Sequence, residues 1–246
     1  MDLHCHLDLY QNPEKIIAEI VRRKIVVFSV TTTPSAFLKT KLMSDHAASI
    51  YTGIGLHPQI VSDRFHELDQ ISQYIGRADF VGEIGLDGGP EYKQSWSRQV
   101  EVFTQSIAAS ERVGGKVLSI HSRRATKHVL QILRDQSSAS TPILHWFSGT
   151  HREMQEAIEA GCWFSVGPAM LIGNKGKALL KDMPMDRVLL ETDGPFTRKS
   201  DSPYLPWDAI DICPQIIAEV WNKSQSLVVG RLANNLRTIL ERIRSQ

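Results

Sequence analysis

Short apolar runs and longer amphipathic stretches alternate from one end of the chain to the other. Residues 1–8 alternate in strand fashion, with His4 and His6 on one face and Leu3, Cys5 and Leu7 on the other. Pro13 then opens a helix that Asn12 can cap, with Ile16, Ile17, Ile20 and Val21 as its apolar stripe. The same unit recurs down the chain. Runs at 24–30, 51–57, 79–87, 116–122, 141–147, 163–166 and 187–192 read as strands, mostly buried. Helices are expected after Thr33-Pro34, at 67–76, at 93–113 up to Gly114-Gly115, and from strand five to about Arg134. Thr150 and Glu153 have capping-box spacing for a helix that Gly161 ends. A lysine-rich segment and helix follow strand seven, and helices near 207–222 and 226–244 finish the chain.

Eight strands alternating with helices predict a parallel sheet, and eight such units close into an α/β, TIM-type (β/α)8 barrel with extra C-terminal helices. An open doubly wound sheet is the rival, and the lack of a glycine-rich phosphate fingerprint after any strand counts against it. No linker or low-complexity tract divides the pattern, so residues 1–246 are read as a single domain, a length that barrels of this kind reach.

Composition narrows the class. Apolar residues make up 42% of the chain and charged residues 22%, which suits a globular domain and argues against disorder. The net charge of +1 gives no global pull toward a polyanion, so nucleic-acid affinity has to come from local patches. Cys5, Cys162 and Cys213 are odd in number and form no Cys-x-x-Cys pair, which speaks against a disulfide framework or a thiolate zinc site and for a reducing cytoplasm. No stretch approaches membrane-spanning length, and no membrane partner is expected.

The candidate chemistry lies in where the polar residues fall. His57 ends strand three, Glu83 lies within strand four, His121 ends strand five, His145 lies late in strand six, and Asp193 follows strand eight. With His4 and His6, these groups sit at the C-terminal ends of strands, which in a barrel converge on one mouth. Any one of them read alone is a hydrogen-bonded core residue. As a set, they would cost several kcal/mol each to bury unless cations compensate them. Imidazoles with carboxylates and no thiolate fit Zn²⁺, Mn²⁺ or Mg²⁺. Glu83 can bridge two ions, one held with His4, His6 and Asp193 and the other with His121 and His145. Glu83 and Asp193 are the catalytic candidates, with Asp193 as general base.

These residues stand in segments that resemble the TatD-type metal-dependent DNases. The segments are Asp2-x-His4-x-His6, Gly55-Leu56-His57-Pro58, Val81-Gly-Glu83-Ile-Gly-Leu-Asp87, Ile120-His121-Ser-Arg123, Leu144-His145-Trp-Phe-Ser-Gly149 and Leu189-Leu-Glu-Thr-Asp193-Gly-Pro195. They run in family order from residue 2 to about Asn235. The resemblance implies a TIM-type barrel, a divalent-metal site and hydrolysis of DNA phosphodiesters, often from a 3′ end. It supports the same ligand set position by position. Residues 29–35, 121–125 and 161–170 are similar to the TatD-like subunit of Qat anti-phage defence systems, which implies other Qat subunits as partners. Gln59, Gly88-Gly89 and the segment 200–207 depart from the family pattern and are read as lying at the substrate rim.

For a phosphate substrate, the loops after strands five, seven and eight offer Arg123 and Arg124, Lys175 and Lys177, and Arg198 and Lys199. His57, Arg123, Ser148 and Lys175 are the candidate substrate contacts, and Trp146 and Phe147 could stack on a base. A metal-dependent nuclease acting on single-stranded DNA is the leading reading. An amidohydrolase-type metallohydrolase of a small molecule or modified nucleotide, and a partner-binding subunit of a defence complex, stay open beside it.

Overall fold

The computed structural model describes residues 1–245. Eight parallel strands follow one another in sequence order. They are β1 (Asp2–Cys5), β2 (Val27–Ser29), β3 (Ile50–Ile54), β4 (Phe80–Gly85), β5 (Val117–His121), β6 (Thr141–His145), β7 (Trp163–Val166) and β8 (Val188–Leu190). The ring closes where the chain leaves β8. There Asp193 N–H donates to the His4 carbonyl at 2.8 Å, and His6 N–H donates to the Gly194 carbonyl at 2.8 Å. Closure leaves neither β1 nor β8 as a free edge. The expected barrel is present, with strands shorter than the apolar runs because the run ends turn into the loops.

Helices cover the outer faces: α1 (Pro13–Arg23), α2 (Phe37–Ser44), α3 (Val61–Arg64), α4 (Leu68–Tyr74), α5 (Trp96–Arg112) and α6 (Thr126–Gln136). The second half adds α7 (His151–Glu159), α8 (Pro168–Ile172), α9 (Asn174–Asp182), α10 (Asp208–Trp221) and α11 (Gln225–Arg244). Local signals set several boundaries. Thr150 and Glu153 form the expected capping box at the start of α7, and Gly114 and Gly115 follow α5 with φ of 94° and 87°. Asn12 stands at the N-cap of α1 but makes no side-chain cap bond, so Pro13 at the first position is what opens that helix. Among the described residues, no helix is long and apolar enough to cross a membrane.

Leu3, Phe28, Val30, Phe80, Val117, Ile143 and Leu189 form one buried cluster. They come from strands spread round the ring, so they meet inside the barrel. Ile239 of α11 joins them, and Asn235 Nδ2 donates to the carbonyls of Met185 and Val188 at the start of β8. Helix α11 therefore plugs the N-terminal end of the barrel and leaves the C-terminal end as the mouth. Leu3 departs from the expected alternation. Cys5 and Leu7 pack outward against Ile16, Ile17 and Ile20 of α1, but a register shift in β1 between Asp2 and Cys5 puts Leu3 with the lumen cluster. Each fully buried large apolar side chain contributes roughly 1.5–3 kcal/mol. The polar groups above this cluster have to be weighed on the same scale.

Candidate metal centre

Glu83 of β4 is the hub of the mouth, and its two oxygens face different partners. Oε2 lies 3.4 Å from His4 Nε2 and 3.3 Å from His6 Nε2. Oε1 lies 3.1 Å from His57 Nε2, 3.2 Å from His121 Nδ1 and 2.9 Å from His145 Nε2. Asp193 Oδ1 lies 3.7 Å from both His4 Nε2 and His6 Nε2. Burial opposes ionisation of Glu83, yet the surrounding His57, His145, His4 and His121 hold its carboxylate well below the usual range. Burial also opposes charge on His6, but Asp193 and Glu83 raise its pKa to about 9. On His4 burial prevails, helped by the neighbouring His145, and lowers it to about 4.

The set fits a divalent cation on the state of its buried nitrogens. His4 Nε2, His6 Nδ1 and Nε2, and His145 Nδ1 are buried with no hydrogen-bond partner among the described residues. Unpaired imidazole nitrogens in a closed site are costly without a cation to accept their lone pairs. Three ligand groups each keep their donor atoms within 4.8 Å of one another: His4–His145–Asp193, His4–His6–Glu83 and His57–Glu83–His121. All donors are imidazole nitrogen or carboxylate oxygen, the borderline-to-hard set that suits Zn²⁺, Mn²⁺ or Mg²⁺. The three cysteines are buried and free, and burial pushes every thiol up, away from ligand chemistry.

Above the hub opens a cavity of about 640 Å³, within the usual range for ligand sites. His57, Glu83, His121, His145 and Asp193 contribute to its lining, Leu9, Ile60, Trp146 and Phe196 supply apolar surface, and Arg123 and Ser148 a polar edge.

The family profile for TatD related DNase matches residues 1–241. The chain belongs to the TatD-related DNase family. It is accordingly a metal-dependent hydrolase. Deoxyribonuclease TATDN3 of Homo sapiens is 25% identical, over 99% of this chain and 95% of that relative. The 3′-5′ ssDNA/RNA exonuclease TatD of Musicola paradisiaca is 27% identical, over 78% of this chain and 69% of that one. The solved TatD homolog YJJV of Escherichia coli K12 shares the fold with a TM-score of 0.85 at 22% identity, covering 97% of this chain and 96% of that one.

In this TatD-family chain, supporting groups aim the candidate ligands. His4 Nδ1 and Ser119 Oγ of β5 share a hydrogen bond at 2.7 Å, and in the tautomer that donates from Nδ1 the inward Nε2 carries the lone pair. We expect Ser119→Ala to weaken metal binding about 10–100-fold, the usual loss for a partner behind a ligating imidazole. Calorimetric titration of metal-stripped protein checks this, and an unchanged affinity would show that packing alone orients the ring. Asp87, at the end of the β4 run, is wholly buried with Oδ2 2.9 Å from His121 Nε2. It also accepts from Gln59 Nε2 at 2.8 Å and from Arg123 Nη1 at 3.3 Å. Glu191 accepts from Ser165 Oγ and from Trp146 N–H, bracing the chain beside His145. Asp2 accepts from Thr192 N–H and Oγ1–H, tying β1 to the turn that carries Asp193. Within that turn position 194 has to be glycine, because a Cβ there would lie 2.0 Å from Tyr10 Oη.

Several residues sit otherwise than their sequence positions imply. His57, read as a substrate contact, lies within 3.1 Å of Glu83 and belongs to one of the three ligand groups. Gln59 lines the cavity as expected of a rim residue, yet its amide is spent on Asp87. Arg123 is 42% exposed but bonded to Asp87 and Glu91, so it braces the His121 side as well as edging the cavity. Lys175 Nζ donates to the Ser148 carbonyl at 2.5 Å. The loop after β8 does not supply the expected charge. Arg198 and Lys199 form an exposed hairpin, β9 (Arg198–Lys199) with β10 (Ser202–Pro203), and line no part of the cavity. A tight turn, with Phe196 N–H and Thr197 N–H both donating to the Asp193 carbonyl, instead brings Phe196 over the site. Its ring lies edge-on to His6 with centroids 4.8 Å apart, and it is 60% exposed. Trp146 lines the cavity, whereas Phe147 is core, packed on Phe164. Asp87, Glu191 and Phe196 have no role in the sequence reading. Asp87 and Glu191 were within reach, four residues after Glu83 and two before Asp193.

Proposed function

We propose that residues 1–246 act as a single hydrolase domain that cleaves phosphodiester bonds of single-stranded DNA with two divalent ions. The observation that carries this is the division of Glu83, whose Oε2 faces His4 and His6 while Oε1 faces His57, His121 and His145. His4, His6, Glu83 and Asp193 would hold one ion, and Glu83, His121 and His145 the other, with His57 beside them. When bound, such a pair polarises a phosphoryl oxygen and makes water a stronger nucleophile at neutral pH. Asp193, only 14% exposed and lining the cavity, takes the proton from the attacking water. The apolar surface of Trp146 and Phe196 receives a base, while Arg123, Ser148 and Lys175 lie toward the backbone. A 3′-to-5′ direction is supported by the relative named as a 3′-5′ ssDNA/RNA exonuclease.

The resemblance of residues 29–35, 121–125 and 161–170 supports a role in anti-phage defence within a Qat-type system, with the other Qat subunits as partners. The three unpaired, buried cysteines support a cytoplasmic location. The test is release of nucleotides from labelled single-stranded DNA, double-stranded DNA, RNA and tRNA with Mg²⁺ or Mn²⁺. We expect DNA cleavage that EDTA abolishes and added metal restores. Activity indifferent to EDTA, or confined to non-phosphoester substrates, would refute the assignment. Adding the other Qat proteins should change rate or specificity, and an unchanged profile counts against the defence role.

A further inference from the structure

A second, smaller cavity of about 330 Å³ adjoins the one lined by the histidine–carboxylate cluster, and the two share Arg123 and Ser148. Arg124, Thr126, Thr150 and Lys175 also line it. Arg124 is exposed and makes no ion pair among the described residues, in contrast to Arg123. Glu153 is the acid in the lining, and both Thr150 N–H and Thr150 Oγ1–H already donate to its Oε2 at 2.8 Å. With Arg123 already paired to Asp87 and Glu91, Arg124 and Lys175 face the single engaged carboxylate of Glu153, which leaves a net positive cavity. Helix α6 starts at Thr126 without a side-chain cap, so its positive end adds to the same field.

The backbone at Arg124 is held in a fixed conformation at the edge of this cavity. Its φ is 53°, the left-handed region, which costs a residue with a side chain on the order of 1–2 kcal/mol. Glycine is the residue that fits such a position without strain. The neighbouring chain holds Arg124 in place: Gly88 N–H donates to the Arg123 carbonyl at 2.8 Å, and a Cβ on Gly88 would lie 2.4 Å from the Arg124 carbonyl oxygen.

We propose that this second cavity is a phosphate subsite for the nucleotide next to the one being hydrolysed, with Arg124 and Lys175 as its cationic contacts. The proposal rests on the phosphodiesterase reading above and deepens it. It makes the protein an enzyme of oligonucleotides, because a substrate too short to place a second phosphate in this cavity forfeits those contacts. Ser148, which lines both cavities and holds Lys175 through its carbonyl, marks the path of the backbone between them.

The test is steady-state kinetics of the metal-loaded protein on single-stranded DNA of two, three, four and six nucleotides. For the wild type, KM should fall about tenfold once the strand is long enough to fill the subsite, with kcat nearly constant. In Arg124→Gly and Lys175→Gln that fall should disappear for both variants, while Arg124→Lys keeps most of it. The slope of log KM against log salt on the six-nucleotide strand should drop by about 0.7–1 for each contact removed. Arg124→Gly also relieves the left-handed backbone, so its melting temperature should match or exceed the wild type, and a loss of affinity cannot be a loss of fold. If both variants keep the wild-type length dependence and salt slope, the subsite is refuted and the phosphodiesterase reading stands. If the wild type cleaves no oligonucleotide of any length, the phosphodiesterase reading fails, and the subsite with it.

Discussion

Glu83→Ala should lower DNA cleavage by about 10³-fold or more and strip the purified protein of bound metal. Both oxygens of this carboxylate face imidazole nitrogens from four directions of the barrel, so its removal opens both halves of the site together. A second consequence concerns the metal-free protein. Burial works against charge on His121, but Asp87 and Glu83 raise it to about 9. Deleting one partner of a buried charged pair costs about 3–5 kcal/mol, so metal-stripped Glu83→Ala should also unfold at lower urea than metal-stripped wild type. Added Mn²⁺ should stabilise the wild type by about 2.7 kcal/mol at a hundred times its Kd and the variant by far less. Glu83→Gln, which keeps the volume, separates the charge from the cavity left by alanine. A Glu83→Ala protein with two ions per chain and the wild-type rate would contradict the bridging role.

Asp193→Asn should lower kcat by about 10²–10⁴-fold with a much smaller change in KM, the pattern expected when a proton acceptor is removed and substrate binding is kept. The variant is a fair test because the fold tolerates it. Asp193 has a φ of 55°, and asparagine is among the few residues that enter the left-handed region readily. Its amide also fills the space of the carboxylate beside His4 and His6. Metal content measured alongside the rate decides between two roles. Retention of both ions with a collapsed kcat identifies the base, whereas loss of an ion makes Asp193 chiefly a ligand. A kcat within threefold of wild type would remove it from the chemistry altogether.

Much of the site was legible because strand position carries geometry. His4, His6, Glu83, His121, His145 and Asp193 stand at strand ends in the sequence, and closing the barrel brings them to one mouth. Residues whose role depends on a loop were harder to read. His57 stands three residues beyond the end of β3, and only the path of that loop carries its Nε2 to Glu83. Phe196 reaches the cavity through one tight turn, and the same turn sends Arg198 and Lys199 away from it. Nothing in residue type distinguishes an arginine that lines a cavity from one in an exposed hairpin. Asp87 and Glu191 are ordinary carboxylates in the sequence and become buried partners of the site only through bonds to His121 and to Ser165.

The eight-unit alternation, the caps that start and stop helices such as α7, and the polar residues placed at strand ends are all written along the chain. Those features are local: side-chain periodicity and capping bonds act within a few residues, so they can be read along the chain. That α11 plugs one end of the barrel, that Leu3 joins the lumen, and that Glu83 turns one oxygen to each set of histidines emerges only in the folded barrel. These outcomes depend on register and ring closure between strands far apart in the chain, and on the turns joining strands to helices. A one-residue shift or a single turn redirects a side chain entirely, and no local pattern specifies it.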